Sequence, residues 1–240
     1  MGAVSTTFLD VPGIEAPSAV RRRASAKRVT LSVSRATGAV GMTLPPRFRM
    51  DDARRFVEAH RGWLEERLDA APRPVPFTFG MRLPFEGRER FVVRGPARRV
   101  ELGKGTIRVG GDASALPGML ERWLRREARE RLVARVDAHC ETIGARYRRL
   151  AIRDTRTRWG SCSAKGTLSF SWRVVMAPPG ALDYLAAHEV AHLREMNHGP
   201  RFWALCERLA PETDRWRAWF KAEGPRLHRY GHAFEGLPEA

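Results

Sequence analysis

His188 and His192 stand four residues apart with Glu189 between them, and His198 follows six residues after His192. On a helix, positions i and i+4 project from one face, so the two imidazoles form a two-point chelate for a divalent metal. Zinc is the usual occupant of an imidazole site that keeps one position open for catalysis, so Zn2+ is the expected cofactor. Glu189 stands beside the chelate but off its line, where its carboxylate can take a proton from a water that the metal activates. The bland alternative keeps both histidines as hydrogen-bonded helix residues with no metal. A helix preceded by a pair of strands is the context in which the metal reading holds.

The third ligand follows from helix geometry. Glu195 shares the face of His188, but a rise of ~1.5 Å per residue puts it ~10 Å along the axis. Three groups strung along a straight helix do not converge on one ion with bonds of ~2 Å. The ligand must come from beyond a break. Asn197 is a fair left-handed cap, and Gly199-Pro200 prevents the helix from continuing. His198 sits at that break and is the first choice. Glu207 and Glu212 compete for the position, or serve as surface charges or partners of a ligand histidine.

These residues need a frame. From Lys27 the chain alternates through Val29, Leu31 and Val33, turns at Gly38, and continues through Val40 and Met42, which predicts a hairpin ending at Pro45-Pro46. Asp51-Asp52 opens a helix with an apolar stripe of Phe56, Val57, Trp63, Leu64 and Leu68, stopped at Pro72. Short β runs separated by glycines fill 77–109 and predict a small meander. A long helix follows over about 115–145. Two strands, 150–158 and 167–173, are joined by a loop through Gly160-Ser161-Cys162-Ser163 and Gly166. In the second, Leu168, Phe170 and Trp172 face one way and Ser169, Ser171 and Arg173 the other. Pro178-Pro179-Gly180 launches the amphipathic helix that carries the histidines. Two short helices, about 200–209 and 213–222, bring Phe202, Trp203, Trp216, Trp219 and Phe220 to the core. Residues 1–20 lack periodicity and are expected to be a flexible arm.

Composition bounds the function classes. Hydrophobic content of 43% with 29% charged residues describes a globular chain. No run of eighteen apolar residues exists, which excludes an ordinary transmembrane helix and a membrane partner of that kind. No secretory pattern opens the chain, and Cys140, Cys162 and Cys206 are too few and too scattered for a disulfide framework, so a cytoplasmic setting is expected. Of the residues behind the net charge of +16, only Lys27, Lys104, Lys165 and Lys221 are lysines. The arginines reflect either a biased base composition or a polyanionic partner, since arginine pairs bidentately with phosphate. Oligomeric state is not legible.

Several stretches together resemble one known family. They are Arg156-Thr157-Arg158-Trp159-Gly160-Ser161-Cys162-Ser163, Leu168-Ser169-Phe170-Ser171-Trp172-Arg173, Leu182-Asp183-Tyr184, His188 through Leu193, Asn197-His198 and Phe202-Trp203. They are similar to the YgjP-like metallopeptidases, relatives of the SprT and WLM proteases, strongly over 150–205 and diffusely from about residue 20. The resemblance implies an α+β, zincin-like fold: an antiparallel sheet plus the His-Glu-x-x-His helix, with an N-terminal β-rich region. It implies His188, His192 and His198 as metal ligands and Glu189 as catalytic acid and base. The domains then read as an arm at 1–25, a β-rich subdomain with one helix at 26–112, a catalytic domain at 113–225 and a tail at 226–240. The metzincins share the histidine spacing, but Glu195 stands at their glycine position and no methionine turn follows, so that assignment is rejected.

The function read from the residues is a zinc-dependent hydrolase, in the first instance a metallopeptidase. The strand 167–173 runs beside the metal helix and is expected to pair with an extended peptide by edge addition. Tyr184, Arg158 and Arg173 are candidate oxyanion stabilisers. A nucleotide pyrophosphatase competes, with Arg156, Arg158, Lys165 or Arg173 holding phosphates. A DNA-associated protease using nucleic acid bound on the basic surface is a further alternative. A non-enzymatic basic module is the weakest reading, because it leaves Glu189 unexplained, and Cys162 as a nucleophile with a histidine base competes with the usual structural role of a lone loop cysteine.

Overall fold

A computed structural model describes residues 7–9, 18–33, 38, 40–69, 74–96, 98–155 and 157–231. The chain divides into two compact units, Met1–Pro76 with His232–Ala240, and Phe77–Gly231, each with its own apolar core.

In the first unit, β1 (Thr7–Leu9), β2 (Ser18–Arg22), β3 (Thr30–Val33) and β4 (Val40–Leu44) form one sheet in the order β1-β2-β4-β3. The alternation did predict β3 and β4, which pair antiparallel with Val33 opposite Val40, and Gly38 takes φ 69° in the turn. The expected arm is corrected: β2 runs parallel to β4, and Val20 lies in the core beside Met42 and Leu44. One buried valine is enough to hold a short strand that has no periodicity of its own. Arg22 donates to the carbonyls of Pro45, Pro46 and Phe48, fastening the end of β4. The single helix expected next is two, α1 (Met50–Ala59) and α2 (Arg61–Asp69), broken at His60. Pro72, the expected stop, lies outside the described residues.

The second unit opens with β5 (Arg82–Phe85), β6 (Arg88–Arg94), β7 (Val100–Leu102) and β8 (Thr106–Val109) in the order β5-β6-β8-β7. Because β6 and β8 pair in parallel, this is not the expected meander. Leu83, Phe85, Val92 and Ile107 share one core with Leu116, Leu120 and Leu124 of the long helix α3 (Leu116–Ile143). The division therefore falls at residue 76 rather than near 112, since a boundary at 112 would cut that core in two. Helix α3 ends where the sequence predicts, on left-handed Gly144 with φ 60°.

A three-stranded sheet comes next: β9 (Arg149–Arg153), β10 (Gly160–Cys162) and β11 (Thr167–Ser171), in the order β10-β11-β9. Strand β11 is central, parallel to β9 and antiparallel to β10. The stretch expected to be only loop, Gly160-Ser161-Cys162, is thus an edge strand, and β11 has no free edge to offer a peptide. After Ser171 the chain tightens into a 3₁₀ turn over Trp172–Met176. Four helices complete the unit: α4 (Pro179–Ala191), α5 (Pro200–Leu209), α6 (Thr213–Ala222) and α7 (Gly224–Leu227). Leu227 and His228 are buried, so the expected tail from 226 is part of the fold up to residue 231. Among the described residues, no helix is long and apolar enough to cross a membrane.

Candidate metal centre

Helix α4 is buried almost all round: Ala181, Leu182, Tyr184, Leu185, Ala186, Ala187, Glu189, Val190 and Ala191 lie inside. It is a core helix rather than the expected amphipathic one. Pro179 sits in its first turn, where the missing N–H costs nothing. A Cβ on Gly180 would come within 2.6 Å of the Trp216 indole, so glycine is what lets α6 close on this turn.

The helix stops earlier than the sequence suggests, with His192 as its cap and the amides of Arg194 and Glu195 turning back to Ala191 O. Asn197 is not left-handed; Gly199 N donates to Asn197 O at 2.7 Å, and this turn lifts His198 back over the helix. Arg194 donates to the carbonyls of Ile143 and Gly144, tying the turn to the end of α3. The early stop puts His198 beyond a break, as the choice of it requires.

The three histidines converge, each offering a ring nitrogen within 4.8 Å of the others. His188 Nε2 and His198 Nε2 are 3.2 Å apart. Two nitrogens bonded at ~2.0–2.1 Å to one tetrahedral ion sit ~3.3 Å apart, so the spacing fits a shared metal. The far nitrogens are occupied: His192 Nδ1 donates to Glu195 O at 3.0 Å, and Tyr184 OH lies 3.4 Å from His188 Nδ1. Such bonds fix the tautomer and leave Nε2 as the nitrogen free to bind a metal. Glu207 is exposed on α5 and Glu212 pairs with Arg215, so neither competitor joins the cluster.

Aromatic rings wall the site. The Phe202 ring centroid lies 4.5–4.9 Å from those of all three histidines, and Trp203 flanks His188 and His198. Burial, then the neighbouring His192, His198 and Arg217, push the His188 pKa down to about 3, and burial also lowers that of His192. Both are thereby held in the neutral form that ligation needs.

Glu189 is 3% exposed, and burial raises its pKa to about 8. Its Oε2 is buried with no hydrogen-bond partner among the described residues, a costly state unless something at the site satisfies it. Gly160 explains how the carboxylate fits: a Cβ there would stand 2.8 Å from Cγ and Cδ of Glu189. This gives the Trp159-Gly160-Ser161-Cys162 stretch a role that spacing alone did not reveal. Trp159 supports it by packing 4.6 Å from the His228 ring and 5.3 Å from Phe220.

The remaining sequence-predicted residues fall elsewhere. Arg173 is 2% exposed and donates to Asp154 and to the carbonyls of Leu227 and Tyr230, so the expected substrate contact is corrected to a structural one. The alternation that turned it outward ends at Ser171, where the 3₁₀ turn begins. Tyr184 is buried against His188. Arg158 and Lys165 are exposed on loops, and Arg156 lies outside the described residues. Burial and the Glu189 charge push the Cys162 thiol up to about 11, which keeps it protonated and poorly nucleophilic. A cation that sequence reading missed, Arg217, stacks 4.4 Å over Trp203, and its charge reaches His188 and Tyr184.

A family model described as YgjP-like, metallopeptidase domain, matches residues 27–223. Among solved structures, the metallopeptidase zymogen of Pyrococcus abyssi abylysin is similar at 22% identity and a TM-score of 0.33, over 38% of this chain and 95% of that one. No curated protein gives a significant match.

Proposed function

We propose, for a chain that belongs to the YgjP-like metallopeptidase family, that His188, His192 and His198 hold zinc and that Glu189 is the general base in peptide hydrolysis. One observation carries this reading: two imidazole nitrogens 3.2 Å apart, one of them on the residue preceding a buried carboxylate whose Oε2 has no hydrogen-bond partner among the described residues. An all-imidazole donor set suits zinc, which supplies Lewis acidity and lowers the pKa of water.

The chain's own residues do the rest. Glu189 takes the proton of the attacking water and returns it to the leaving amide nitrogen. A carboxyl that burial pushes to about 8 is lowered again by a cation beside it, which leaves a group able both to take and to return a proton near neutrality. Tyr184 and Glu195 O orient their histidines, and Phe202 and Trp203 keep bulk water from the far side of the cluster.

Strand β10 supports a peptide substrate. Ser163 N donates to Thr167 O and Ser171 N to Trp159 O, so residues 159, 161 and 163 face β11. By alternation, the N–H and C=O of Gly160 and Cys162 point to the open edge, next to Glu189, where an extended peptide can add as a further strand. Arg217 is the cation placed to meet developing negative charge or a substrate carboxylate. The free cysteines suit a reducing compartment, in keeping with a cytoplasmic enzyme. The phosphoanhydride reading has less support, since Arg173 is committed to Asp154.

Metal analysis and activity together test the proposal. Purified protein should carry about one zinc per chain, lost in His188→Ala; Glu189→Gln should keep the metal and lose cleavage of unfolded protein. Pyrophosphate release from nucleoside triphosphates without peptide cleavage would overturn it.

A further inference from the structure

A second concave site shares no residue with the metal centre. It is a cavity of about 720 Å³ along α3 and β9, lined by Arg125, Arg126, Arg129, Arg148, Arg149 and Arg153. No carboxylate lines it. Acids nearby account for only part of the charge: Glu121 pairs with Arg125, Glu127 and Glu130 pair with Arg126, and Asp137 accepts from Tyr147 OH. Arg129, Arg148, Arg149 and Arg153 have no carboxylate partner among the described residues. Four arginines without a carboxylate partner thus line one groove, together with Val133, Tyr147, Leu150 and Ile152.

We propose that this groove binds the phosphate backbone of a single-stranded nucleic acid. Guanidinium forks match phosphate oxygens bidentately, and a basic groove that also carries an aromatic ring, here Tyr147, is how single strands are held without sequence reading. An acidic peptide would be the competing occupant, since β9 is the other edge of the three-stranded sheet. That edge is obstructed. Arg129 Nη1 donates to Leu150 O at 3.2 Å, occupying a carbonyl that an added strand would need. A phosphate chain needs no backbone carbonyl, only the guanidiniums. The inference rests on the groove and is independent of the reaction at the histidines.

The test is fluorescence anisotropy of a labelled oligothymidylate of about fifteen nucleotides titrated with the full chain. Four phosphate contacts on a single strand give a log–log salt slope of about −2.8, so affinity should fall about 50-fold between about 50 and 200 mM salt. Replacing Arg129, Arg148, Arg149 and Arg153 together by Gln should weaken binding at least ~30-fold at low salt, while Lys at the same four positions should keep most of it. The same Gln replacement at Arg47, Arg49, Arg88 and Arg208, four exposed arginines outside the groove, removes equal charge and should cost less than ~3-fold. Equal losses in the two Gln variants would mean diffuse charge and would overturn the proposal. So would absence of binding at low salt, or equal or tighter binding of polyglutamate or of anionic lipid vesicles.

Discussion

Replacing Gly160 by alanine tests the claim that Glu189 is the reacting group and that β10 is shaped around it. The added methyl would stand 2.8 Å from Cγ and Cδ of Glu189, against an ordinary carbon contact of ~3.5–4.0 Å. Relief requires a movement of ~1 Å, and neither partner gives easily: Glu189 is on a helix buried on nearly every side, and β10 is laddered to β11 through Ser161. Over-packing of this kind costs ~1–3 kcal/mol of stability. A displacement of ~1 Å at a reacting group costs ~100-fold in rate. The histidines are not touched, so zinc should stay near one per chain. The assay is kcat for a fluorogenic peptide with metal content and thermal midpoint measured on the same sample. Expected is a ~100-fold fall in kcat, unchanged zinc, and a small fall in the midpoint. Wild-type kcat in a fully metallated Gly160→Ala would refute the reasoning, because the carboxylate would then tolerate a displacement that general-base catalysis does not.

Other perturbations reach other parts of the argument. Cys162→Pro removes an amide that points to the open edge while leaving the ladder through Ser161 and Ser163; kcat/KM for an extended peptide should fall ~2–13-fold, the worth of one hydrogen bond, with cleavage of a minimal dipeptide little changed. Chelation should lower the thermal midpoint of the catalytic unit by on the order of 10 °C, since a ligand at ~1,000 times its Kd contributes ~4 kcal/mol to the folded state, and scanning calorimetry with and without chelator reads this. For Asp154, burial raises the pKa but the hydrogen bonds and charge of Arg173 outweigh it, so the folded-state value lies below the ordinary one. A depressed carboxylate contributes stability that is complete above its unfolded pKa of ~3.9 and is lost as pH falls through the folded value. Asp154→Asn should therefore be less stable than wild type by ~2–4 kcal/mol at pH ~7, and denaturant titration at pH ~3 should find the gap narrowed.

The parts of this fold that were legible in sequence are those set by local signals. The C-terminal helices over Pro200–Leu209 and Thr213–Ala222, the span of the long helix α3 and the β3–β4 hairpin each follow from turn residues and periodicity within a few positions. The histidine trio was legible for the same reason: its spacing is helical, with one break. What escaped depends on distant partners. Three residues, Gly160-Ser161-Cys162, have little strand propensity and become a strand only because β11 lies alongside. Alternation marks β9 and β11 as strands but does not say that they run parallel. Arg173 looked solvent-facing because nothing nearby signals that the strand ends at Ser171 or that Asp154 and two carbonyls wait for its guanidinium. The aromatic wall of Phe202 and Trp203 was read as core, which is true of Phe202, but the same rings also hold the histidines.

The site is assembled from contacts of very different reach along the chain. His188, His192 and His198 span the last turn of α4 and the turn after it, and bringing together residues so close in sequence costs little chain entropy. Gly160 meets Glu189 across a much longer loop that closes only when β10, β11 and the 3₁₀ turn are in place. Local chain can therefore gather the three histidines before the sheet forms, whereas clearance for the carboxylate arrives with the sheet. On the proposed function, capture of the ion and competence to hydrolyse would be separable events during folding, and a chain carrying metal with its sheet unformed would be loaded but silent.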